Sequence, residues 1–194
     1  MMISRIPLVA LLLCGCVAAP AEAPAPAPAP APTTPPTMPA PTAPSPAAAP
    51  WRGSPLATGP AATVVLAQWR RAENRATCAP LAPASLGART DAVPRAATFG
   101  GGWGVAFDLP EMRGAFGVAG TGTLAAAPSY DEWPHRRAWA DGSSAGYGPE
   151  GGVGPNQLAY LRVAGQECLY NVWSRLGREH LETLIAQLRF VATG

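Results

Sequence analysis

The chain is predicted to be α+β, an antiparallel sheet with one or two helices packed on one face, preceded by a Pro/Ala-rich stalk. Three observations lead there. Trp103, Val105 and Phe107, then Phe116 and Val118, alternate with small or polar residues at a period of two. Leu158 to Val163 and Glu167 to Trp173 flank Ala164-Gly165-Gln166 as the arms of a hairpin. Leu181, Leu184, Ile185 and Leu188 follow at the i, i+3, i+4, i+7 spacing of one buried helical face, with Arg178, Glu179, Glu182 and Gln187 left to solvent.

Taken in order, Pro20 to Pro50 alternates Pro with Ala and Thr, a composition that favours polyproline II and lacks the large side chains of a core. Fully stretched at about 3.1 Å per residue, it reaches on the order of 100 Å. Little order is expected through about Thr58. Folding is expected to begin near Pro60, where Val65, Trp69, Ala72 and Ala76 form a helical stripe that Pro80 and Pro83 end. Strands are expected at Ala97 to Phe99, Trp103 to Leu109 and Gly114 to Ala119, with turns at Gly100-Gly101-Gly102 and at Pro110 to Gly114. From about Pro128 to Pro155 the chain is polar and glycine-rich and is read as one long loop, a natural place for a binding surface. Arg189 to Thr193 suits a short final strand.

The first residues carry an address. Met1 to Arg5 is a weakly positive leader and Ile6 to Leu13 an apolar run broken only by Pro7, too short to span a bilayer and right for an export signal. Leu13-Cys14-Gly15-Cys16 then resembles the lipobox of bacterial lipoproteins. That resemblance covers only the first sixteen residues. It implies a cut after Gly15, a diacylglycerol on the Cys16 thiol and acylation of the new amino group. Lipid chains at about 0.8 kcal/mol per buried methylene then tie the protein to a membrane. Val17, where an aspartate resembles an inner-membrane retention signal in enteric bacteria, favours an outer membrane facing the periplasm if the host has two membranes. The expected organisation is a signal at 1–15, a lipidated linker at 16–58 and a single domain at 59–194.

On that reading Cys14 leaves with the signal and Cys16 carries lipid, so Cys78 and Cys168 are expected to pair in an oxidising compartment; the bland alternative is two buried thiols. All fourteen basic side chains are arginines, with no lysine, but they are scattered among acids and the formal charge is only +2, which argues against nucleic acid as a partner.

Catalytic signatures are absent: no HExxH, no GxSxG and no GxxxxGK[ST], and only two histidines. No cofactor or metal is expected and no catalytic residue is assigned. His180 belongs on the wet side of the last helix. Tyr130, Asp131, Trp133, His135, Arg136, Trp139 and Tyr147 crowd the polar loop beside Arg137 and make it the candidate binding surface, suited to stacking on sugars or gripping a protein. The bland alternative is that these rings pin the loop to the domain. The preferred function is a non-enzymatic accessory or binding domain of the cell envelope, with an envelope protein or a glycan as ligand. One alternative is a small periplasmic hydrolase or metal-dependent enzyme built from Asp131, His135, Asp141, Ser143 and Ser144. The other is a domain that captures a lipid or another apolar ligand.

Overall fold

Pro60 brings the fixed φ of a first helical position, and α1 runs Pro60–Trp69 in a computed structural model that describes residues 46–125, 133–152 and 154–194. The helix stops short of the expected stripe. Asn74 pulls the chain away, its backbone N–H on Gly101 O at 3.2 Å and its side-chain amide on Thr121 O at 2.7 Å, although Ala72 remains buried.

The strands are β1 (Leu81–Pro83), β2 (Val93–Ala96), β3 (Trp103–Leu109), β4 (Met112–Leu124), β5 (His135–Ala138), β6 (Ser144–Pro149), β7 (Gln157–Arg162), β8 (Cys168–Ser174) and β9 (Leu188–Phe190), with α2 (Arg178–Ala186) ahead of the last. Seven form one antiparallel sheet in the order β2-β3-β4-β8-β7-β6-β5, and β1 pairs with β9 in a second, two-stranded sheet. The predicted α+β class is the observed one. The three segments with clear periodicity, 103–109, 158–163 and 178–188, are β3, β7 and α2 with its lead into β9.

Three expectations are corrected. The first sheet strand lies at Val93–Ala96 and not at Ala97–Phe99, because an edge strand tolerates Pro94 without an N–H. Half of the described residues 133–152 of the long loop are strand: β5 and β6 extend the sheet to its far edge. Gly146 and Gly148 occupy alternate positions of β6 beside Ser144, so its outward side has too few large side chains to show a period. Finally, the packed chain starts before residue 59. Ala47 bridges to Trp139, a 3-10 turn spans Pro50–Arg52, Trp51 is 1% exposed, and Leu56 bridges to Val191.

Register separates the two faces of the sheet. Trp103, Val105 and Phe107 on β3 stand opposite Gly120, Val118 and Phe116 on β4, which lead on to Tyr170, Val172 and Ser174 on β8 and to Leu161, Ala159 and Gln157 on β7. This face joins Ala62 and Val65 of α1 and Leu181, Leu184 and Ile185 of α2 in one buried cluster. Both helices therefore cover the same side of the sheet. Cys78 and Cys168 form a disulfide at its margin, 90 residues apart with Cα atoms 5.3 Å from each other. Among the described residues, no helix is long and apolar enough to cross a membrane.

Candidate functional site

The sheet divides the residues expected to form one surface. Tyr130 and Asp131 lie outside the described residues, as does Cys16. His135 pairs with Tyr147 and Arg136 with Gly146, so alternation sends His135 and Tyr147 to the helix side and Arg136 to the outer side.

On the helix side the polar groups satisfy one another. The His135 and Tyr147 rings lie 5.4 Å apart, Tyr147 donates its hydroxyl proton to Glu182 Oε1 at 3.0 Å, and Arg178 Nη1 lies 3.2 Å from His135 Nε2. Burial, with the Glu182 carboxylate second, raises the Tyr147 pKa above the ordinary phenol value. Trp139 is 3% exposed and packs edge-on against Trp51 at 4.8 Å. For Trp139 and Tyr147, then, the rings do pin the chain to the domain. Asp141 accepts the Trp51 indole N–H and the Arg52 Nε–H, each at 3.0 Å, and the Ser143 N–H at 3.0 Å. Burial opposes its ionisation, but these donors outweigh it and hold the carboxyl below the usual range.

Among the described residues, His135 and the two serines of the hydrolase reading are not brought together. His135 stands opposite Tyr147 and Ser144 opposite Ala138, three residues apart along the hairpin or about 10 Å, and on opposite faces. Ser143 is 1% exposed, and its hydroxyl accepts the Ala164 N–H at 2.8 Å. Among the described residues no group of three or more His, Cys, Asp or Glu side chains could hold a metal ion.

His180 departs from its expected surface position. It is half-buried, with its ring 4.7 Å from Phe116 and Nδ1 3.0 Å from Ser174 Oγ. Desolvation, then the nearby Arg89 charge, lowers its pKa. Here Nδ1 faces a serine that is 0% exposed and already accepts the Leu176 N–H, so this Ser-His pair lacks the access a nucleophile needs.

The outer face has a different composition. Gly104, Ala106, Gly117, Ala119 and Gly148 form a floor, and half-buried rings lie over it. A Cβ on Gly117 would overlap the Trp173 indole, and one on Gly148 would overlap Pro134 and Trp133. Phe99 leans on Trp173 at 5.8 Å and Trp133 on Tyr160 at 5.6 Å, which gives two aromatic pairs. Beside the second pair is a cavity of about 370 Å³ lined by Arg136, Arg137, Ala138, Ser144, Ala145, Gly146, Tyr160 and Arg162. Trp133 and Arg136 are thus the described members of the expected surface that meet on the outer face. Sequence reading missed Phe99, Trp173, Tyr160 and Arg162. Tyr160 and Arg162, two apart on a strand, carried a same-face signal, but with 128–155 read as loop there was no strand to join them to Arg136.

Comparison with known proteins finds no matching family model, no matching curated protein and no matching solved structure.

Proposed function

We propose that the chain is a lipid-anchored lipoprotein of the cell envelope whose domain is a non-enzymatic binding module, taking an envelope protein or a glycan on the outer face of its sheet. Cys16 carries the lipid, the Pro/Ala-rich stalk sets the reach, and the periplasmic side of an outer membrane is the address in a host with two membranes. One observation supports the binding role above all. Four half-buried rings, Phe99, Trp173, Tyr160 and Trp133, stand on the face that neither helix covers, over a floor of glycine and alanine. Rigid aromatic side chains offer large contact area at small entropic cost, the usual anchors of a recognition surface.

Site-specific photocrosslinking in the producing cell tests this. A photoreactive residue at Trp133 is expected to form adducts with one envelope component, and one at Glu179 on α2 is not. Adducts from position 179 alone would place the partner on the helices. Metabolic labelling with palmitate tests the anchor: Cys16→Ser should abolish incorporation, and undiminished label would refute the lipoprotein assignment.

A further inference from the structure

We propose that the cavity between Arg136 and Tyr160 binds a sugar that carries an oxyanion, either a carboxylate or a phosphate. This rests on the outer-face reading and names the chemistry that face takes.

The cavity follows from register. Arg136, Gly146 and Tyr160 form one row across β5, β6 and β7, and Ala138, Ser144 and Arg162 form the next row of the same face. In the first row a glycine separates two long side chains, and in the second Arg162 stands beyond two small residues. Strands lie about 4.8 Å apart, so Arg136 and Tyr160 stand roughly 10 Å from each other across a glycine with no side chain to fill the gap. That opening admits one sugar ring.

Its charged lining residues are arginines. Arg136, Arg137 and Arg162 border the space, and no carboxylate is among the described residues that line it. Arg136 is exposed and its side chain makes no hydrogen bond or ion pair with a described residue. Arg162 is set in place by an Nε–H bond to Ala125 O at 2.7 Å and shapes the wall. Arg137 pairs with Ala145 and so alternates to the helix side, where it lies over the Trp139 ring at 5.4 Å, and its charge is not part of this wall. The exposed Arg136 guanidinium is a planar fork that matches a carboxylate or phosphate with two parallel bonds. Anionic chemistry is therefore favoured over neutral.

The second half of the ligand comes from the rings. Tyr160 lines the cavity and leans on Trp133, so an aromatic surface adjoins the arginines. The apolar face of a pyranose stacks on such a surface while its acidic substituent reaches Arg136. Ser144 offers a hydroxyl for a ring oxygen or hydroxyl of the sugar.

Calorimetric titration of the full lipidated chain in non-ionic detergent decides the matter with five probes: glucuronate, glucose 6-phosphate, glucose, inorganic phosphate and glycerol 3-phosphate. The two anionic sugars are expected to bind at least about tenfold tighter than glucose or inorganic phosphate, the value of one charge-assisted contact. Arg136→Gln should erase their advantage over glucose. Trp133→Ala should bring glucose 6-phosphate down to the level of inorganic phosphate. Glucose binding as tightly as glucuronate overturns the anion but leaves the outer face intact as a binding surface. Glycerol 3-phosphate matching glucose 6-phosphate overturns the sugar in favour of a lipid headgroup. No heat with any probe at millimolar concentration overturns the site, and crosslinking from position 133 then shows separately whether the face binds another partner.

Discussion

His180 shows how one buried contact fixes a protonation state. Ser174 Oγ accepts the Leu176 N–H at 3.1 Å and lies 3.0 Å from His180 Nδ1. If that nitrogen carried a proton, the serine would accept twice, and its own O–H, on a side chain 0% exposed, would have no acceptor. A neutral ring that accepts the serine proton satisfies every group, in keeping with a pKa depressed first by desolvation and then by Arg89. The sign for stability follows. Below the ordinary value of 6.5 the unfolded chain binds a proton that the folded chain resists. This contribution is whole above 6.5, and it is lost as the pH falls from 6.5 to the folded pKa. Urea unfolding of the native chain at pH 7.5 and about pH 5.5 should show a drop that His180→Gln reduces. Equal drops in both proteins would show that the ring does not titrate in this window.

Among the elements, the segment from residue 46 to 58 behaves as a strap. Its backbone ties in at both ends: Ala140 N–H on Ala47 O at 2.9 Å, then Leu56 N–H on Phe190 O and Ala192 N–H on Leu56 O at 2.8 Å each. Trp51 plugs the middle, and Asp141 latches it with bonds from Trp51 and Arg52. The energetic order follows from burial. Trp51→Ala should cost about 3–5 kcal/mol through lost packing. Asp141→Ala should cost about 1–3 kcal/mol because it leaves a buried indole N–H and the Ser143 N–H short of an acceptor. Arg52→Ala should cost under about 1 kcal/mol, since that side chain is 58% exposed. Thermal melts of the three variants check the order, and an Arg52 effect as large as that of Trp51 would move the latch from packing to charge. This strap was invisible in the sequence for a physical reason. Trp51 sits between Pro50 and Gly53 with no period around it, so a lone tryptophan after a proline-rich run gives no sign of what it packs on. Helix α2 is the opposite case, because Leu181, Leu184 and Ile185 are all buried on one face and their spacing alone was enough to place the element. Strands β5 and β6 fall between: Ala145 and Tyr147 do alternate, but glycine on the outward side erased the contrast that makes alternation legible. Half of the candidate surface was lost with them, since which residues face out together is known only once the strands are known.

For the whole molecule, sheet order depends on contacts between distant residues that no local pattern encodes. The hairpins β3-β4 and β7-β8 are local, but the joint between β4 and β8 brings Val118 opposite Val172 and makes one sheet of two antiparallel runs, β2-β3-β4 and β5-β6-β7-β8. The disulfide crosses near that joint, with Cys168 in register with Leu124 and Cys78 on the segment after α1. Hydrogen bonds surround it on both sides: Trp69 Nε1 to Cys78 O at 2.9 Å, Glu167 N to Thr77 O at 3.0 Å, Ala79 N to Gln166 Oε1 at 2.6 Å and the Tyr170 hydroxyl to Ala79 O at 2.9 Å. That network is expected to hold the folded geometry of the region without the S–S bond. The bond acts on the unfolded chain, where closing a 90-residue loop removes conformations worth about 4–5 kcal/mol in the chain-entropy account. Two outcomes are expected together on reduction under native conditions. The tryptophan bands of the near-ultraviolet circular dichroism stay unchanged, while the urea midpoint falls and the slope of the transition steepens because the freed chain exposes more surface. Loss of the aromatic signal before any denaturant is added would locate the role of the bond in the folded state instead. An unmoved midpoint would mean that the loop it closes is already held shut in the unfolded chain.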